Sequence, residues 1–152
     1  MGEAYFYHLT RTAPDVTLAT LLTRCLAQSW RVAVRGGDAG RLEWLDDRLW
    51  QGDGFLPHGI ADGNHDARQP ILLTTGPAED RDCLMALDGA DVAPDEVTKM
   101  TRTCILFDGT DGEAVSRARA QWKALTDAGC GARYWSEEGG KWEEKASKNV
   151  EG

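Results

Sequence analysis

No stretch of the 152 residues approaches the ~18 consecutive apolar positions that a membrane span needs, which excludes a transmembrane helix from the sequence pattern. The opening Met1-Gly2-Glu3-Ala4-Tyr5 has no basic region ahead of an apolar stretch, so no secretory signal is expected and the protein is expected to be cytoplasmic. Cysteine is sparse: Cys25, Cys83, Cys104 and Cys130 form no CxxC pair and no Cys/His spacing that would hold zinc. They are expected to be buried, reduced thiols. His8, His58 and His65 make no HExxH motif, and Ser29, Ser116, Ser136 and Ser147 make no GxSxG. Positive charge is also short, with 17 Lys+Arg against 25 Asp+Glu and a net charge of −8. A broad nucleic-acid-binding surface is thereby disfavoured unless cations are gathered locally.

What is present is enough apolar material, 41% of the chain, to build one core. A single domain over residues 1–142 is expected, with residues 143–152 a fraying tail. Ala4 to Leu9 reads as a first strand and Pro14 to Gln28 as a helix, whose apolar residues recur at intervals of three and four. Trp30 to Val34 reads as a second strand, and Asp38 as the cap of a helix over Ala39 to Leu49. An irregular connection from Gly52 to Gln69 carries the apolar island Phe55 to Ile60, expected to dock partly on the body. Pro70 to Thr75, Cys83 to Leu87, Thr103 to Phe107 and Ala132 to Trp135 are further strand candidates, with a helical turn after Pro94 and a helix from Glu113 to Ala128. Strands alternating with helices predict an α/β protein with a mostly parallel sheet covered on both faces, its first two strands central neighbours.

Such a sheet invites a nucleotide or phosphate at the strand-to-helix turns, and a small enzyme using such a ligand is the alternative to weigh. The first of these turns, Thr10-Arg11-Thr12-Ala13-Pro14, has no glycine, and the second, Gly36-Gly37-Asp38-Ala39-Gly40, lacks the GxGxxG and P-loop spacings. Adjacent acidic residues such as Asp46-Asp47 and Glu137-Glu138 read as solvated faces, so no catalytic constellation, metal or cofactor is expected. The last helix says more. At about 100° per residue, Ala114, Ala118, Gln121 and Leu125 share the stripe that faces the sheet. Arg119, Trp122 and Lys123 stand beside it at i, i+3 and i+4, with Val115 one turn earlier and Arg117 on the opposite flank. Two cations beside an indole suit a short acidic peptide ending in an apolar residue or a carboxylate. A second candidate surface is Trp50 with Phe55, two large apolar side chains flanking a glycine-bearing turn.

Several of these segments together resemble the chi subunit family of bacterial DNA polymerase III: Ala4-Tyr-Phe-Tyr-His-Leu9, Asp47-Arg-Leu-Trp50, Phe55-Leu-Pro-His-Gly-Ile60, and Arg119-Ala-Gln-Trp-Lys123 through Ala128-Gly129. The similarity runs, in that order, over nearly the whole chain up to Trp135. It implies a Rossmann-like, three-layer α/β/α fold and a non-catalytic adaptor that joins the clamp-loader complex to single-stranded-DNA-binding protein by holding that protein's acidic, Phe-terminated C-terminal tail. The positions matching the family's tail site are Arg119, Trp122 and Lys123; Trp122 stands where a tyrosine is typical, and Val115 where the family has a further lysine. The resemblance also implies that a psi-like subunit or a helicase docks at Trp50 and Phe55. Direct DNA binding is not required of such an adaptor.

Overall fold

The computed structural model describes residues 3–51, 58–60, 70–76, 81–87, 89–137 and 141–150. Short runs of β-branched, aromatic and other apolar residues become the strands β1 (Glu3–Leu9), β2 (Val32–Arg35), β3 (His58–Ile60), β4 (Ile71–Thr74), β5 (Cys83–Ala86), β6 (Arg102–Asp108) and β7 (Gly131–Ser136), and a polar run forms β8 (Glu143–Lys148). Between them lie α1 (Pro14–Ala27), α2 (Ala39–Gln51), α3 (Pro94–Lys99) and α4 (Gly112–Asp127). They build one sheet in the order β3-β4-β2-β5-β6-β1-β7-β8, parallel throughout except for β8. The expected α/β architecture with a mostly parallel sheet and helices on both faces is what the chain adopts.

Each strand sends alternate side chains to opposite layers. On β6, Cys104 and Leu106 join Leu18, Leu22, Leu42, Leu45 and Leu49 of α1 and α2, while Ile105 and Phe107 join Val97 of α3 and Ala118 and Leu125 of α4. All four cysteines are buried and free, as expected.

Three expectations fail in instructive ways. Strands β1 and β2 are not neighbours, because β5 and β6 pair with each other and stand between them. Every residue of β5 is buried, as are Thr103 to Phe107 of β6, and strands this apolar need cover on both faces that only the sheet centre supplies. β1, with Tyr5, Tyr7 and His8 only half-buried, sits further out. Within the segment expected to fray, residues 143–148 form β8, antiparallel to β7, and cover the backbone edge that β7 would otherwise present. All six of its side chains are exposed, so no apolar alternation marked it. It is held by the ladder, by Arg133 bridging Glu3 (3.2 Å) and Glu144 (2.9 Å), and by the Asn149 side-chain amide, which donates to the carbonyls of Thr126 (3.0 Å) and Cys130 (3.1 Å).

The third failure concerns the acidic pairs, which are not simply solvated. Asp46 of α2 approaches buried His58 at 2.9 Å and ties β3 to the helix layer. Glu137 is buried, with a role described below.

Candidate functional site

In a doubly wound sheet the turns after the strands expose backbone N–H groups that can take an anion. Here the chain's own carboxylates take them. Glu137, 5% exposed, accepts from the N–H groups of Thr10 (3.1 Å), Arg11 (2.8 Å) and Thr12 (2.7 Å) and from the Thr12 hydroxyl (2.9 Å). Burial opposes its ionisation, but these four donors outweigh that and hold its carboxyl below the usual range. Asp38 accepts from the Arg41 N–H at the start of α2 (2.8 Å), and Asp111 from the Glu113 N–H at the start of α4 (3.0 Å). The buried Arg35 guanidinium, at the end of β2, donates to the carbonyls of Gly76 (3.0 Å) and Asp91 (2.8 Å) and to the Glu96 carboxylate (2.9 Å). These donors, at the turns after β1, β2 and β6 and on Arg35, are thus committed to the fold itself. Among the described residues, no group of three or more His, Cys, Asp and Glu side chains is placed to hold a metal ion.

The α4 flank toward β7 is different. Asp111 caps the helix and Glu113 sits in its first turn, so its sixteen residues start on a well-satisfied N-terminus. The stripe of Ala114, Ala118, Gln121 and Leu125 meets the sheet: Ala118 and Leu125 are buried, and the Gln121 amide donates to the Ala90 carbonyl (2.9 Å). Trp122 is half-buried beside it. Its indole stands edge-on to Phe6 (5.3 Å between ring centres) and to Tyr134 (6.0 Å), and Phe6 and Tyr134 lie nearly parallel at 6.5 Å. Val115 packs against the same cluster one turn earlier.

Three residues before Trp122 on the same flank, Arg119 is exposed and makes no hydrogen bond or ion pair among the described residues. Lys123 pairs with Asp127 at 3.0 Å, but its side chain is 79% exposed, and a base placed N-terminal to its acid is the weaker helical orientation. That pair is easily given up to a stronger anion. The four residues singled out on this helix, Val115, Arg119, Trp122 and Lys123, therefore occupy one flank. Arg117 lies on the other, lining a pocket of about 230 Å³ with Gln121, Ala90 and Phe107.

Sequence reasoning missed Tyr134, which completes the floor and whose hydroxyl lies 2.6 Å from His8 Nδ1. The signal was the period-two alternation of Ala132 and Tyr134 within the recognised strand. Truncating Trp122 to Ala is expected to lower stability by about 2 kcal/mol, less than for a fully buried indole because one side faces solvent, and urea unfolding would measure it. Of the second candidate surface, Trp50 stands on the last turn of α2, and Phe55 lies outside the described residues.

Fold and surface together define a small doubly wound α/β protein in which carboxylates cap the turns after β1, β2 and β6 and whose last long helix carries cations beside half-buried aromatic rings. The chain belongs to the family of the DNA polymerase III chi subunit, HolC, whose family model matches residues 1–133. That family is an accessory subunit of DNA polymerase III. A search of curated proteins finds no match to the chain. Among the described residues, no helix is long and apolar enough to cross a membrane.

Proposed function

We propose that this chi-family chain is a non-catalytic adaptor linking the clamp-loader complex of DNA polymerase III to single-stranded-DNA-binding protein. In this reading the acidic C-terminal tail of that protein lies on the α4 flank formed by Val115, Arg119, Trp122 and Lys123. The observation that carries it is an Arg119 guanidinium without a partner among the described residues, beside an aromatic floor on a molecule of net charge −8. Arg119 and Lys123 hold carboxylates by charge-assisted hydrogen bonds, and Trp122 with Val115 offers apolar surface to the terminal Phe. Trp50 and Phe55 are the proposed contact for a psi-like subunit, through which the clamp loader is reached, or for a helicase that competes for the same surface. The adaptor reading needs neither cofactor nor direct DNA contact.

A single tail contact of this kind is weak. It gains strength because coated DNA presents many tails close together, so that release from one is followed by capture of the next. The test is calorimetric titration with an acidic peptide ending in Phe, beside the same peptide without that Phe. Saturable binding that disappears without Phe, and that weakens by several-fold between low and physiological salt, is the expected result. Failure of the intact peptide to bind at low salt would remove the tail from the proposal and turn the search to Trp50 and Phe55.

A further inference from the structure

The register of the last two strands brings β8 beside the same helix flank. Ala132 and Tyr134 of β7 belong to the layer that holds α4, and their partners on β8 are Lys148 and Ala146. Directly opposed residues on neighbouring strands share a face, so Lys148 and Ala146 lie on the α4 side of the sheet. The amide of Asn149, bonded to the carbonyls of Thr126 and Cys130, fastens the end of the tail to the end of α4. Between helix and strand Tyr134 is only half-buried. The result is a trough with Trp122 and Tyr134 in its floor, Arg119 and Lys123 on one bank and Lys148 on the other.

Lys148 is exposed and has no partner among the described residues. The acidic residue of β8 opposite Ser136, Glu143, is offset by Lys145 at 3.1 Å. Cations thus stand on both banks of a chain that is acidic as a whole. The family match ends at residue 133, before β8, so this bank lies outside the matched region.

We propose that β8 is the second wall of the peptide groove, with Lys148 holding a carboxylate of an extended acidic peptide from the side opposite Arg119. This rests on the tail-binding reading and deepens it. The test uses the full-length chain and the acidic, Phe-terminated peptide in calorimetric titrations of Lys148→Glu, Lys148→Gln, Ser147→Glu and Arg119→Glu. Ser147 lies opposite Arg133 on the other face, so Ser147→Glu makes a charge change of the same sign away from the trough.

The expected result is a Kd raised about tenfold by Lys148→Glu and about threefold by Lys148→Gln, with Ser147→Glu leaving it unchanged. Thermal melts of all four variants should stay close to the unmodified chain. Equal losses in Lys148→Gln and Ser147→Glu, each a change of −1 in charge, would reduce the effect to net charge and overturn the wall. A loss confined to Arg119→Glu would also overturn it while leaving the tail reading in place. No binding by the unmodified chain overturns both.

Discussion

The double variant Arg119→Glu/Lys123→Glu is expected to bind an acidic, Phe-terminated peptide roughly 30- to 150-fold more weakly than the unmodified chain, a loss of about 2–3 kcal/mol. The size follows from what the two cations are doing in the free protein. Arg119 has no partner to lose among the described residues, so its guanidinium is available to a carboxylate without breaking an internal bond. Lys123 gives up only an exposed pair with Asp127, worth a few tenths of a kcal/mol. Reversal both removes two charge-assisted contacts and sets two carboxylates against an acidic ligand.

The same local economy makes the variant a clean test. Neither side chain supports the core, and the new like-charge neighbours at i, i+4 on α4 cost under about 1 kcal/mol in total. Thermal unfolding should therefore move by only a few degrees while calorimetric binding collapses. Binding that persists in the double variant at low salt would exclude this flank as the tail site. Binding lost together with the fold would appear in the melt, and Arg119→Gln alone would then report the contact, with a several-fold loss expected.

Much of this was legible in the sequence because it is written in periodicity. The apolar positions of α1 and α2, Leu18, Leu22, Leu42, Leu45 and Leu49, recur at helical spacing and are all buried. The stripe of α4 follows from the same rule, and once it is placed the flank of Arg119, Trp122 and Lys123 must project beside it. Strand order was not legible. Nothing in the spacing of Ala4–Leu9 and Trp30–Val34 says that β5 and β6 will insert between them; that is decided by which strands can least afford an open face. The strand β8 was hidden for the opposite reason, since it buries no side chain and its hold is backbone pairing, an ion pair and one asparagine amide. Tyr134 was visible as a strand residue, but its place in the floor depends on a register and on contact with Trp122 that no local pattern encodes.

Glu137 was the residue most thoroughly misread, and it carries the largest expected effect on stability: Glu137→Ala is expected to destabilise the fold by about 3 kcal/mol at neutral pH, measured by urea unfolding. Its carboxylate accepts three backbone N–H groups and a hydroxyl from Thr10 to Thr12, and so closes the turn between β1 and α1. Helix α1 has Ala13 at its cap position and no side-chain cap of its own, so the segment leading into it depends on a residue more than a hundred positions away. Truncation leaves those donors poorly satisfied in a partly buried turn, where each unmet group costs about 1–3 kcal/mol before water or relaxation compensates. Glu137→Gln keeps an acceptor but not the charge and should lose roughly half as much.

The pH dependence has a definite sign. The folded state holds the Glu137 carboxyl below its usual range, because the donors outweigh the burial that opposes its charge. Its contribution is therefore fully present above the unfolded carboxyl pKa of about 4.3 and is lost as pH falls through the lower folded value. Stability of the unmodified chain should drop more steeply on acidification below about pH 5 than that of Glu137→Gln, so that the gap between them narrows toward pH 3. Parallel stability curves across that range would mean that the carboxylate is not the anion holding the turn.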